Sequence, residues 1–151
     1  MKAVILCDPE HGSRRIAALT LLDRLVVAAH RGGCESITIV GEGELPSLSR
    51  SLALGIRTDV VPTFPEIADS TLVLQSTALI QARDVERLVA GNARLVSRDA
   101  VALPAGVITV FRGSVRESLS DSADIKAAGV ALLVTDDDAV ARAERALWAS
   151  L

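Results

Sequence analysis

Residues 3–41 read AVILCDPEHGSRRIAALTLLDRLVVAAHRGGCESITIVG, and the order of patterns in this stretch decides the fold. Residues 3–7 and 37–40 are short apolar runs, as expected of parallel strands that are buried on both faces by helices. A polar turn at residues 8–13 leads into a segment with apolar residues at helical spacing. The stretch therefore predicts a strand, a loop, a helix and a second strand. The loop should lie at the carboxyl edge of the sheet, where open α/β folds bind ligands.

The predicted helix covers residues 14–31. Its apolar face is Ile16, Leu19, Leu22, Val26 and Ala29. We expect Arg15, Asp23 and Arg24 to lie largely outside that face, as in an amphipathic helix. Gly32 and Gly33 should end the helix, because glycine is favoured just past a helix C-terminus.

The rest of the chain continues the alternation of strands and helices. Apolar runs predict strands at 57–61, 71–75, 93–97, 106–111 and 131–134. Helices are predicted at 46–54, 82–90 and 139–148, with a broken helix at 115–128. Thr135 is expected to cap the last helix, with Asp138 completing a capping box. In the helix at 82–90, Asp84 is expected on the polar side. The pattern predicts one α/β domain over residues 1–151, a three-layer α/β/α sandwich with a mostly parallel sheet.

Composition excludes some classes of function. The net charge is -3, and no basic stripe with interleaved aromatic residues is present to follow nucleic acid. No apolar run is long enough to cross a bilayer, and the N-terminus lacks a secretory pattern, so we expect a soluble, cytoplasmic chain. Cys7 and Cys34 are expected to be thiols, since no C-x-x-C or histidine cluster accompanies them.

Several motifs carry a resemblance to a known family. AVIL at 3–6, followed by CDPEHGSR at 7–14, resembles the first strand and the A-A-G-x-G-x-R loop of sugar-phosphate nucleotidylyltransferases. LLDRLV at 21–26, RGGCESITIV at 31–40 and ARAERAL at 141–147 resemble inositol-phosphate cytidylyltransferase domains. The resemblance implies the nucleotide-diphospho-sugar transferase-like fold. Such domains are often fused ahead of a membrane-embedded CDP-alcohol phosphotransferase, which implies that partner and a place at the inner face of the membrane.

The loop departs from the family's pattern. Only Gly12 and Arg14 of the motif remain, Asp8 and Glu10 add negative charge, and the family's lysine is absent. The resemblance makes Asp8, Gly12, Ser13, Arg14 and Gln75 the candidate nucleotide-binding residues.

The family's metal site also lacks its residues. A metal-binding Asp is missing from residues 72–77, and the second falls at Leu133 or Thr135 unless the acidic run 136–138 is shifted into its place. No catalytic or metal-binding residue is assigned, and no cofactor is expected, except Mg²⁺ if the domain is active.

Each of these features also has a simpler explanation. Gly12, Ser13 and Arg14 fit either residual phosphate binding or a solvent-exposed loop. His11 fits either a general base or a solvated side chain. The acidic run fits either a metal site or a helix cap. A triad of Ser13, His11 and Asp8 is rejected, because residues so close on one loop rarely reach relay geometry.

Three functions follow from these alternatives. The first is a degenerate nucleotidyltransferase-like domain, a binding or structural module associated with CDP-alcohol phospholipid synthesis, with CTP or a phosphorylated small molecule as its ligand. The second is an active cytidylyltransferase that makes a CDP-polyol from CTP and a polyol phosphate. The third is a homo-oligomerising scaffold without nucleotide binding.

Overall fold

The computed structural model describes residues 1–151. Eleven strands follow one another along the chain: β1 (Lys2–Leu6), β2 (Arg15–Ile16), β3 (Leu19–Thr20), β4 (Ser36–Val40), β5 (Asp59–Val61), β6 (Thr71–Gln75), β7 (Ala78–Leu79), β8 (Arg94–Val96), β9 (Ala102–Ile108), β10 (Asp124–Lys126) and β11 (Leu132–Leu133). Five helices lie between or after them: α1 (Leu21–Arg31), α2 (Ser49–Ala53), α3 (Ala82–Gly91), α4 (Val115–Ser118) and α5 (Asp137–Ala149). None of these helices is long and apolar enough to span a membrane.

Seven strands form the central sheet in the order β10-β8-β9-β6-β1-β4-β5. β1 lies between β6 and β4 and is parallel to both, with Ile5 opposite Leu74 on one side and Ile39 on the other. β4 with β5 and β8 with β10 are also parallel, whereas β9 is antiparallel to both of its neighbours. The prediction of an α/β fold with a mostly parallel sheet is therefore confirmed. Within this sheet, the carboxyl ends of all the strands except β9 lie at one edge.

The two faces of the sheet are covered differently. Ile5, Ile39 and Leu74 face a large apolar core that includes side chains of α1 and α3. The opposite face of β6 and β9 is covered by the short helix α4 and by two loops, whose Phe64 and Phe111 rings stack 3.8 Å apart. Burial along β4 alternates, because its side chains on that second face are only half-buried. Most of β1 and β6 is buried on both faces, as predicted, but the second face of the sheet is covered by loops and the short helix α4 rather than by long helices, and β4 is only half-buried there.

The prediction of a helix from residue 14 is wrong at its start. Residues 15–20 form the β2-β3 hairpin, and α1 begins only at Leu21, where the Thr20 Oγ1 atom accepts a hydrogen bond from the Asp23 N–H at 3.1 Å. Ile16 and Leu19 are three residues apart, a spacing that also fits one face of a helix. Ile16, however, is buried in a separate small core against α5.

The hairpin turn has an unusual backbone. Ala17 and Ala18 have φ values of 48° and 73°, a left-handed region that costs a residue with a Cβ atom roughly 1–2 kcal/mol. A two-residue hairpin loop with positive φ at both positions normally carries Asn or Gly. Glu144 of α5 accepts a hydrogen bond from the Ala17 N–H at 2.9 Å, so the last helix helps to hold this turn.

Four features of the second half of the chain differ from those predicted from the sequence. Residues 115–128 contain α4 and the edge strand β10 rather than a broken helix, and β9 covers Ala102–Ile108 rather than 106–111. β11 pairs with β7 outside the central sheet. The cap of α5 is Asp136, which accepts a hydrogen bond from the Ala139 N–H at 2.7 Å, and not Thr135.

Asp23 was expected outside the apolar face of its helix, but its side chain is fully buried. Its carboxylate accepts hydrogen bonds from the N–H groups of Arg50 and Ser51 and from the Ser51 hydroxyl, at 2.6 to 2.9 Å. Helix α2 has no capping bond from its own N-cap residue, Leu48. Asp23 therefore supplies from α1 the acceptor that the first turn of α2 requires.

We expect Ile5→Ala to lower the free energy of unfolding by about 2–5 kcal/mol, because Ile5 is completely buried between two parallel neighbours. Chemical denaturation of both proteins measures the difference. Val60→Ala is the control, since Val60 is 50% exposed on an edge strand and should change stability by less than about 1 kcal/mol. Equal losses in the two variants would contradict the central position of β1.

Candidate functional site

The loop after β1 is closed by hydrogen bonds to itself. The Asp8 carboxylate accepts from the N–H groups of Glu10 and His11, at 3.0 and 2.9 Å. The Gly12 N–H donates to the Asp8 carbonyl at 2.8 Å, and the Asp8 N–H donates to the Ser76 Oγ atom at 2.6 Å. A phosphate-binding loop needs backbone N–H groups that are free to face the ligand. Here most of them already have partners within the protein.

Gly12 is required by packing rather than by backbone conformation. A Cβ atom at this position would lie 2.7 Å from the Asp8 carbonyl oxygen and 2.9 Å from the Ser76 Oγ atom. Ser13 is exposed, and its hydroxyl donates to the Glu10 carbonyl at 3.1 Å. Gln75 ends β6 in register with Leu6, so it lies at the same edge of the sheet as the loop. The five candidate residues are thus brought to one region, with Gly12 serving the loop's own structure.

Arg14 joins the loop to the first turn of α5. Its Nη1 atom lies 2.9 Å from Asp137, its Nη2 atom 3.3 Å from the Thr135 carbonyl, and its Nε atom donates to His11 Nδ1 at 3.3 Å. The side chain is only 23% exposed, whereas that of Asp137 is fully exposed. The idea of a solvent-exposed arginine on a free loop is therefore wrong. A bound anion would have to compete with Asp137 for the guanidinium.

The carboxylates near the loop have structural partners. Asp8 closes the loop, Asp136 caps α5 and Asp137 pairs with Arg14. The structure contains no group of three or more His, Cys, Asp or Glu side chains placed to hold a metal ion. His11 donates no proton to Asp8, whose carboxylate faces the loop amides, so the relay rejected from the sequence is not formed.

Both cysteines are free thiols, as predicted. Burial raises the pKa of the Cys7 thiol, an effect that the hydrogen bond with Ser76 opposes and the charge of Asp8 reinforces. Burial also raises the pKa of Cys34. A thiol with a raised pKa is a poor nucleophile near neutral pH, because the thiolate is the reactive form. Neither residue therefore has the properties of a reactive cysteine.

A second region at the same edge was not anticipated from the sequence. It is a cleft of about 850 Å³ between the start of α3, the turn from β8 to β9, residues 128–133 and the outer half of α5. We call it the arginine cleft, because Arg83, Arg98 and Arg142 line it, with Asp99 as the one acidic side chain. These residues lie on elements far apart in sequence. No local motif could have identified them.

One wall of the arginine cleft is fixed by buried polar groups. Asp84 was expected on the polar side of its helix, but it is fully buried and accepts from the N–H groups of Ala128 and Gly129 at 2.8 and 3.0 Å. Gln81 accepts from the Val130 N–H at 2.9 Å. A Cβ atom at Gly129 would lie 2.6 Å from the Gln81 Oε1 atom. Residues 128–130 are therefore held tightly against α3.

The chain matches no protein-family model and no curated protein. The chemistry available to the two regions is that of their own residues. The loop after β1 offers one arginine that is already paired with a carboxylate. The arginine cleft offers three guanidinium groups around a partly apolar floor.

We expect Gly12→Ala to lower the free energy of unfolding by about 1–3 kcal/mol, because the added methyl group would collide with the Asp8 carbonyl. Thermal or chemical denaturation measures the loss. Gly91→Ala is the matched control: a Cβ atom there meets nothing closer than 4.0 Å, so this change should be neutral or stabilising by up to about 1 kcal/mol. A Gly12 variant as stable as the wild type would show that the loop can open without cost.

Proposed function

We propose that this chain is a degenerate nucleotidyltransferase-like domain that does not transfer nucleotides and serves as a binding or structural module. The observation that carries the proposal is that most backbone N–H groups of the loop after β1 are already hydrogen-bonded within the protein. The Asp8 carboxylate accepts hydrogen bonds from the backbone N–H groups in the region where the motif resemblance implies that a triphosphate would bind. The finer assignment to the nucleotide-diphospho-sugar transferase-like fold rests on that same resemblance.

Nucleotidyl transfer needs positive charge around the triphosphate and the pyrophosphate that leaves. Backbone donors, a lysine and Mg²⁺ commonly supply it. In this chain most of the loop N–H groups already donate hydrogen bonds within the protein. The two lysines are remote from the loop, because Lys2 starts β1 at the opposite edge of the sheet and Lys126 lies on the outermost strand β10. Asp8 and Glu10 add negative charge to the loop itself. These features favour loss of transfer over a rearranged active site.

Residual binding at the loop depends on Arg14 in this proposal. A guanidinium offers several donors in a fork that matches phosphate, and it stays charged at cellular pH. Because Asp137 already holds one of its N–H groups at 2.9 Å, a phosphate must displace that carboxylate. CTP or another phosphorylated small molecule should therefore bind weakly here.

The association with CDP-alcohol phospholipid synthesis is part of the same proposal. It is supported by the similarity of residues 21–26, 31–40 and 141–147 to inositol-phosphate cytidylyltransferase domains. The last of these segments lies within α5. A membrane-embedded phosphotransferase is the proposed partner, and the inner face of the membrane is the proposed location.

Transfer is tested by measuring pyrophosphate release from CTP with inositol phosphate or another polyol phosphate in the presence of Mg²⁺. We expect a rate equal to that of the no-enzyme control, because the groups that would stabilise the transferred charge are missing or occupied. Release well above the control would overturn the proposal and support the active cytidylyltransferase instead.

Binding at the loop is tested by calorimetric titration with CTP. We expect Arg14→Ala to weaken CTP binding and Asp137→Asn to tighten it severalfold, since the latter removes the group that competes for Arg14. Asp138→Asn is the matched control: it removes the same charge from the same turn, but Asp138 makes no ion pair with Arg14. If wild type and Asp137→Asn both fail to bind CTP at millimolar concentration, the loop after β1 has no role in nucleotide binding, which favours a structural role for this part of the chain, such as the oligomeric scaffold.

A further inference from the structure

We propose that the arginine cleft is a binding site for a small molecule that carries a phosphate group. This inference goes beyond the proposed function, because it depends neither on the loop after β1 nor on the family resemblance. No residue from 8 to 14 lines the cleft. Arg142 follows Asp137 by five residues along α5, which corresponds to about 7 Å of helix.

The net charge of the cleft is opposite in sign to that of the whole chain. The whole chain has a net charge of -3, yet the cleft has three arginines and one aspartate. A concave surface lined by one sign of charge raises the local concentration of ligands of the opposite sign. The cleft therefore favours an anion in a protein that otherwise repels anions.

The arginines of the cleft retain free donors. Of the fourteen arginines, Arg14, Arg87, Arg94 and Arg112 form ion pairs with carboxylates, and the cleft arginines are among those that do not. Arg83 and Arg142 form no ion pair, and Arg98 donates only to the carbonyl of Ala128, at 2.7 Å. A guanidinium with free N–H groups can bind a phosphate through two parallel hydrogen bonds. The three arginines come from different elements, α3, the β8-β9 turn and α5, and all of them line the cleft.

The cleft is also suitable in shape and rigidity. Its volume of about 850 Å³ lies in the range of small-ligand sites. Leu103, Val130 and Leu133 contribute an apolar floor, which lowers the local dielectric constant and strengthens the attraction between the arginines and an anion. Because Asp84 and Gln81 already hold residues 128–130, binding does not have to order that wall. The apolar floor also suits the carbon skeleton of an organic phosphate better than inorganic phosphate.

The test uses the full chain and defined probes. Glycerol 3-phosphate and inorganic phosphate are titrated calorimetrically, and phosphatidylcholine vesicles with and without phosphatidic acid are tested by cosedimentation. We expect saturable binding of glycerol 3-phosphate that is tighter than that of inorganic phosphate and weakens with added salt. Binding of the soluble phosphate identifies a free metabolite as the source of the ligand. Binding confined to vesicles with phosphatidic acid identifies a lipid headgroup.

Matched variants locate the site. Arg142→Gln should weaken binding about tenfold or more, whereas Arg145→Gln, on the same helix but outside the cleft, should leave it unchanged. Arg14→Ala should also leave it unchanged, which separates this site from the loop of the proposed function. Both glutamine variants should keep the wild-type melting temperature, because Arg142 and Arg145 are exposed. Equal effects of the two glutamine variants, or no saturable binding of any probe at millimolar concentration, would overturn the inference.

Discussion

The parallel pairing of β1 with both β4 and β6 is the constraint on which the rest of the structure depends. Parallel neighbours cannot be joined by a tight turn, so the chain must cross the sheet after each of these strands. The crossing after β1 contains α1, which packs with α3 on the large core. The same pairing brings the ends of β1, β4, β6, β8 and β10 to one edge. Both candidate regions lie there.

Two loops at that edge have their backbone N–H groups hydrogen-bonded in different ways. Loops that follow parallel strands present backbone N–H groups that need an acceptor. After β1 the acceptor is internal, because the Asp8 carboxylate takes two of these hydrogen bonds. After β10 the acceptors are also internal, but they are Gln81 and Asp84 at the start of α3, and the cleft arginines form no ion pair with a carboxylate. The loop after β1 is thus neutralised, whereas the arginine cleft keeps its charge.

The sequence predicted those elements whose pattern had one interpretation. The apolar runs at β1 and β6 and the amphipathic pattern of α3 are local signals, and the structure contains all three. Ile16 fitted a helix by spacing, yet it is buried by contact with α5, which no local pattern reveals. Asp23 and Asp84 were assigned to the polar sides of their helices, because a buried carboxylate is recognised only when the distant N–H groups that it accepts from are known.

The arginine cleft could not have been predicted for a related reason. Arg83, Arg98 and Arg142 are separated by more than ten residues each, and only the tertiary structure, which includes the packing of α5 against β11, brings them to one cavity. Three of the candidate residues at the loop, by contrast, are adjacent in sequence. The hydrogen bond from Arg14 to Asp137 depends on the tertiary structure, so the sequence located that region without revealing that its arginine is already paired.

The hairpin turn at Ala17 and Ala18 has a mechanical consequence. Two alanines in the left-handed region store conformational energy that the isolated segment would release by adopting another turn. Glu144 holds this turn and Arg14 holds Asp137, so α5 is fastened to residues 14–17 at two points along its length. The hairpin and α5 also share a small core that is separate from the main one. The strained turn and α5 therefore depend on each other, because undocking of the last helix would remove the contact that holds the turn and let it relax.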